Sequence, residues 1–316
     1  MWAYASRRIL QAIPVVFLST VLVFLLLHLL PGDPAIALAG SNATADQVAA
    51  IRHEMGLDKP LPEQYWIWLQ HVAHGDLGRS VLSGQRISLL LSQRIPATME
   101  LALAGMFVSL IVALITGIAA ALNQRKVTDW TVITFNSLAL AIPQFWLGIL
   151  MIILLAVVLG WLPPGGRVAD GSNFGASIKS LAMPAIALSL PLMGGLSRYV
   201  RASMLEVLYD DHVRTARSKG LTERAVIYGH TLRNALLPVV TVLGMQFGFL
   251  LGGTVIIESV FSWPGLGTLM LDAIGNRDYA VVQAGLLYLA VVFILINLAT
   301  DLLYGVLDPR IRLGGR

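Results

Sequence analysis

Cysteine is absent from the 316 residues. That excludes a disulfide framework, a thiolate metal site and a cysteine nucleophile. Charge is scarce too. Asp, Glu, Lys and Arg make up 13% of the chain, against about 25% in an ordinary soluble domain. A soluble surface needs more charge than that, and a disordered chain needs the opposite composition. Lysine occurs only at positions 59, 126, 179 and 219, and glycine precedes none of them. A Walker-type ATP site requires Gly-Lys-Ser/Thr to hold phosphates, so the chain contains none. Ser109, Ser137 and Ser189 lie in apolar stretches without a Gly-x-Ser-x-Gly elbow, which disfavours an intramembrane serine protease. The histidines are scattered, and the His71-x-x-His74 pair has no evident third ligand for a metal.

What the chain has is apolar surface. Hydrophobic residues reach 56%, and about 20 apolar residues suffice for one bilayer span. Six segments qualify: 9–30, 97–122, 132–162, 181–197, 235–257 and 280–307. The expected class is an all-α membrane protein with six transmembrane helices. The first segment follows Arg7 and Arg8 and is longer than a signal-peptide core, so it is expected to remain as a span. Pro143 should kink or break the third segment, and Pro184, Pro191 and Gly194-Gly195 should make the fourth irregular.

Lys and Arg set the orientation. With the N-terminus inside, fourteen fall in cytoplasmic segments, three in the short outer loops and five in the long loop. The chain then divides into a cytoplasmic N-terminus (1–8), a first transmembrane helix (9–30) and an extracytoplasmic loop (31–96). A transmembrane core (97–307) with a cytoplasmic loop (198–234) and a cytoplasmic C-terminus (308–316) complete it. In this setting the net charge of +4 points to membrane topology, not to nucleic acid.

An ion-coupled transporter would use carboxylates or histidines within its spans. His28, Glu100, Glu258 and Asp301 are candidates, but His28, Glu100 and Glu258 lie near span ends and no titratable chain crosses the membrane. Asp301 shares a helix face with Asn297, as expected of a helix–helix hydrogen bond. In the fifth segment, Gly244, Gly248 and Gly252 form one small-residue stripe. It suits packing against another subunit or within this one.

The 198–234 loop contains YDDHVRTARSKGLTERAVIYGHTLRNALLPVV from Tyr209. Asp210 or Asp211 can cap a helix of about two turns near 211–219. Arg217 and Lys219 suit its last turn, and Gly220 its stop. Val213 and Ala216 share a face that continues to Gly220 and Leu221. Thr222 would cap a second helix running to about Asn234. A basic loop on anionic lipid explains the charge. The small residues on the apolar face favour docking against another protein.

These residues resemble the permease subunits of binding-protein-dependent ABC importers, in particular the dipeptide, oligopeptide and nickel group. That family's cytoplasmic motif has an alanine, a glycine four residues on, then Leu-Pro, here Ala216, Gly220 and Leu237-Pro238. The superfamily motif begins Glu-Ala-Ala; Arg214 and Thr215 stand at the first two places, as is usual in the peptide branch. Leu30-Pro31-Gly32-Asp33-Pro34, Gly56-Leu57-Asp58-Lys59-Pro60 and Gly75-Asp76-Leu77-Gly78 look like the same branch. So do Phe261-Ser262-Trp263-Pro264-Gly265-Leu266-Gly267, Arg277-Asp278-Tyr279 and Asp308-Pro309-Arg310-Ile311-Arg312.

The resemblance implies a type I importer permease in a bacterial inner membrane. It implies no enzymatic activity and no cofactor in this chain, with ATP and Mg held by two separate ABC subunits. A second homologous permease subunit and an extracytoplasmic binding protein complete the implied assembly. Asp211, Val213, Arg214, Ala216, Arg217, Lys219, Gly220 and Leu221 would then form the coupling helix. The outer loop is aromatic at Tyr65, Trp66 and Trp68, and Trp263 marks the second outer loop. These four suit either interfacial anchoring or docking of the binding protein. The expected cargo is a di- or oligopeptide, with nickel or glutathione as alternatives. An ion-coupled secondary transporter is the less favoured class.

Overall fold

The structure is a computed structural model that describes residues 2–29, 34–39, 43–54, 56–168 and 173–307. Residues 30–33 of the Leu30-Pro31-Gly32-Asp33-Pro34 motif and the Asp308–Arg312 motif lie outside the described residues, as does the side chain of His28. In chain order the helices are α1 (Trp2–Leu29), α2 (Pro34–Ala39), α3 (Ala45–Glu54), α4 (Leu61–Ala73), α5 (Ile87–Leu122), α6 (Val127–Ala141) and α7 (Gln144–Met151). There follow α8 (Phe174–Leu208), α9 (Asp211–Ser218), α10 (Glu223–Ala225), α11 (Leu232–Val260), α12 (Leu266–Gly275) and α13 (Tyr279–Leu307). π-helical turns extend α7 (Ile152–Val158) and join α10 to α11 (Val226–Thr231). No strand occurs among the described residues.

Among the described residues, five helices are long and apolar enough to cross a membrane, and the bent α6–α7 pair makes a sixth span if counted as one. The bend is 96°. Its cause is local. Pro143 lacks an N–H and disfavours the helical conformation in the residue before it. Ile142 is accordingly extended, at φ −78° and ψ 123°. The fourth segment corrects the expectation of an irregular helix, because α8 runs unbroken through Pro184 and Pro191. It also reaches further than 181–197 and takes in Arg198 and Arg201, which the sequence reading assigned to a loop. Likewise α5 starts at Ile87, inside the expected outer loop, and the helix from Glu223 continues through Pro238 to Val260 without stopping near Asn234.

Two compact units emerge, one of residues 1–8, 98–263 and 296–316, the other of 9–97 and 264–295. In the first, α8 is the central helix. Leu196, Val200, Met204 and Leu208 pack with Ala113 of α5 and with Ala235 and Val239 of α11. Small residues permit this closeness. A Cβ on Gly117 would lie 2.8 Å from the Ser197 carbonyl oxygen, and one on Gly194 would lie 2.8 Å from that of Asn136. Polar side chains pair as lipid demands. Thr116 and Ser197 hydroxyls lie 2.8 Å apart, and Asn136 Nδ2 donates to Ser197 Oγ at 3.0 Å.

Of the titratable groups singled out from sequence, Glu258, Glu100 and Asp301 have partners within this unit. Thr98 Oγ1 donates to the fully buried Glu258 at 2.6 Å. Arg167 pairs with Glu100 at 2.7 Å and Arg8 with Asp301 at 3.0 Å. They tie parts of the chain that lie far apart in sequence.

The second unit closes around Ile87 and Leu91 of α5, Leu266, Met270 and Ala273 of α12, and Val281, Val282 and Ala284 of α13. Asp278, 2% exposed, explains the Arg277-Asp278-Tyr279 motif. Its carboxylate accepts from the Ser80 hydroxyl and from the Leu82 amide, fastening the 80–82 turn to the start of α13. Between α3 and α4, Asp58 accepts from His53 at 2.7 Å, which holds its carboxyl below the usual carboxylate range.

The glycine stripe of α11 divides. A Cβ on Gly244 would sit 2.1 Å from Thr300 Oγ1 of α13, whereas one on Gly252 meets nothing within 4 Å. Gly244→Ala should therefore destabilise the chain by about 1–3 kcal/mol through overpacking, and Gly252→Ala should not. Thermal melting in detergent checks this; equal melting points for the two variants would contradict the assigned α11–α13 contact.

Candidate functional site

Between the long helices α8 and α11 the chain forms the short helix α9. Asp210 occupies its N-cap position with extended backbone, although its side chain makes no cap bond. At the other end the chain closes a Schellman motif. The Gly220 amide donates to the Arg217 carbonyl at 2.9 Å and the Leu221 amide to that of Ala216 at 3.4 Å. Gly220 sits at φ +77°. A Cβ there would meet nothing within 4 Å, so backbone angle and not space demands the glycine. Thr222 then caps the next turn, its hydroxyl accepting from the Ala225 amide.

The two faces of α9 have different roles. Val213 is fully buried and Ala216 is 5% exposed, both packed with Val226 of the π-helical turn. Of the small-residue face that the sequence reading put toward another protein, Val213 and Ala216 are covered by the chain itself, while Gly220 is exposed. Arg217 also folds inward, donating to Glu223 Oε1 at 3.0 Å and to the Leu208 carbonyl at 3.4 Å. His212 and Asn234 lie 3.1 Å apart. What remains outward is Asp211, Arg214, Thr215, Ser218, Lys219 and Leu221, all exposed. Asp211 and Arg214 pair loosely at 3.7 Å. α9 is thus a capped helix seated on its own chain, with a polar, basic surface facing out.

Sequence reasoning missed the ion pair beside it. Asp129 of α6 accepts from Arg201 Nε at 2.6 Å and Nη2 at 2.8 Å, and from the Arg125 amide at 2.9 Å. Tyr209, two residues before α9, donates from its hydroxyl to Gln124 Oε1 at 3.0 Å. The sequence reading began the third segment at 132, which left Asp129 in the preceding loop, whereas α6 opens at Val127. The usable signal was a lone carboxylate in the first turn of an apolar segment.

The aromatic candidates separate in the same way. Tyr65 and Trp68 of α4 face α1, with ring centroids 5.4 Å and 5.8 Å from Phe24. The hydroxyls of Tyr65 and Thr20 lie 2.8 Å apart. Trp66 points away and is 59% exposed. Trp263 is 1% exposed, which corrects its candidacy for docking: a buried indole offers no surface.

Two substitutions check the seat of α9. Gly220→Ala forces a side chain into the left-handed region at a cost of about 1–2 kcal/mol. Ala216→Glu drives a carboxylate against Val226. Both should speed tryptic cleavage after Arg214, Arg217 and Lys219, the second more strongly; cleavage at the parental rate in both would refute the packing described.

Comparison with known proteins places this geometry in a family. Residues 113–313 match the family described as binding-protein-dependent transport system inner membrane component. Residues 1–102 match the corresponding N-terminal family of such membrane components. A putative peptide transport system permease protein of Brucella abortus is 44% identical over 312 residues, 99% of each chain. A glutathione transport system permease protein of Salmonella typhi is 41% identical over 312 residues, again 99% of each. Among solved structures, the MetNI methionine ABC transporter in inward facing conformations aligns with a TM-score of 0.57 at 19% identity, covering 70% of this chain and 97% of that one. That likeness shows a shared fold, the type I ABC importer permease fold. The chain belongs to the family of inner membrane components of binding-protein-dependent transport systems.

Proposed function

We propose that this chain is the transmembrane permease subunit of an ABC importer for di- or oligopeptides. It forms the pathway with a second homologous permease subunit, is driven by two separate ATPase subunits and is fed by an extracytoplasmic binding protein. Both termini and α9 lie on the cytoplasmic side, and the 31–96 segment lies outside. The observation that carries the reading is α9 itself. It is closed at its C-terminal end by the Schellman turn at Gly220, seated on Val226 and open to solvent along Asp211, Arg214 and Lys219. A helix so held moves as a solid piece with the ends of α8 and α11. The absence of a Gly-Lys-Ser/Thr segment agrees with ATP being hydrolysed by another chain. The peptide cargo is supported by the 44% identity to a putative peptide permease.

Coupling is tested on the exposed face, where folding is not at stake. Arg214→Glu with Lys219→Glu should weaken assembly with the ATPase subunits and lower uptake by about tenfold, with the melting point in detergent unchanged. Undiminished uptake would remove α9 from the coupling role. On the other side, Trp66→Ala should reduce stimulation of ATP hydrolysis by loaded binding protein; full stimulation would remove α4 from the docking surface. The cargo is tested in proteoliposomes holding the whole importer, offered radiolabelled dipeptides, tripeptides, glutathione and a nickel chelate. Uptake of the peptides is expected. Uptake of glutathione or nickel alone would replace the peptide reading, and uptake of none would reject the importer.

A further inference from the structure

Helix α6 is held to α8 at three places along one of its faces. Asp129, 3% exposed, takes both nitrogens of the Arg201 fork. Asn136 donates to Ser197, and its carbonyl lies where only the glycine at 194 leaves room. Ala139 packs with Leu190 and Met193. Two residues after that contact α6 ends, at the 96° break before α7. At the other end, α8 passes through Tyr209 into α9, and Tyr209 holds Gln124 ahead of α6. So the helix that leads into α9 also has half of the broken span fastened along it.

We propose that Asp129 is a positioning residue for transport. Through Arg201 it clamps α6 to α8 in one register, so that a displacement of α9 moves the α6 half of the broken span together with α8. This inference rests on the importer reading above. Apolar packing alone would keep the helices adjacent, but it tolerates sliding. A bidentate guanidinium–carboxylate pair does not. A slip of one helical turn, about 5.4 Å, would break both bonds and strand a buried carboxylate, which is strongly unfavourable. The clamp also sits at the end nearest α9, where a push would arrive first.

The test uses the complete importer in proteoliposomes and reads solute taken up per ATP hydrolysed. The solute is whichever of the probes above the parental complex imports. Asp129→Asn and Arg201→Met should keep hydrolysis while uptake per ATP falls by about fivefold or more. Arg201→Lys, which keeps the charge and loses the fork, should fall between. Exchange of the pair, Asp129→Arg with Arg201→Asp, should recover part of the ratio. Uptake and hydrolysis falling together at a constant ratio would overturn the proposal, since a merely structural pair predicts that. So would an exchanged pair that assembles and recovers nothing. If the Asn and Met variants fail to assemble, Arg201→Lys carries the ratio; its failure to assemble as well assigns the pair to folding and overturns the proposal. A parental complex that imports none of the probes sinks the importer reading and this inference with it, an outcome distinct from all those above.

Discussion

Lipid offers no hydrogen bonds, and most of this molecule follows from that. A polar group inside the hydrocarbon must find its partner on the same chain or on a neighbour. The partners seen here are specific and distant in sequence: Thr98 with Glu258, Arg167 with Glu100, Arg8 with Asp301, Arg201 with Asp129. All but the Arg167 pair, which ties a loop to α5, join two helices that apolar contact alone would leave free to slide. With no hydrophobic force between helices in lipid, register has to come from small residues and polar ties. α8 collects both kinds on the face that meets α6, through Gly194, Ser197 and Arg201.

The same constraint explains which prolines break helices. Pro143 ends α6 because its neighbour Ile142 turns extended and the chain bends away. Pro184 and Pro191 lie in a helix whose flanks are covered by other helices, and α8 stays continuous. Covering helices and local adjustments satisfy the backbone groups that a proline frees in a spanning helix. The sequence alone does not distinguish these cases, since each proline stands in an apolar run.

Much of the architecture was legible in composition and spacing. The apolar runs announced the spans, Pro143 announced the break, and the Asp-Asp to Lys-Gly stretch announced a helix of nearly the observed length. Helix ends were harder. The first ten residues of α5 and the stretch before α11 are too polar to register as span, yet they extend helices whose stability comes from packing further along. The Asp129–Arg201 tie bridges 72 positions, and no local pattern reports such a partner. The seat of α9 was half legible. Periodicity put Val213 and Ala216 on one face, but only the fold shows that Val226 of the same chain covers it.

That covering separates two kinds of information in α9. The buried Val213 and Ala216, Arg217 with its bond to Glu223, and the φ +77° glycine at 220 are constrained by the chain's own fold. The outward positions within the helix, Asp211, Arg214, Thr215 and Ser218, are exposed and pack against no other element of the chain's buried clusters among the described residues. The outward set is therefore free to vary in step with a partner while the first set stays still. On the coupling role proposed above, transplanting those four side chains onto a related chain would carry over the address of α9 without its scaffold, and two similar machines in one membrane would be kept from exchanging parts by those positions.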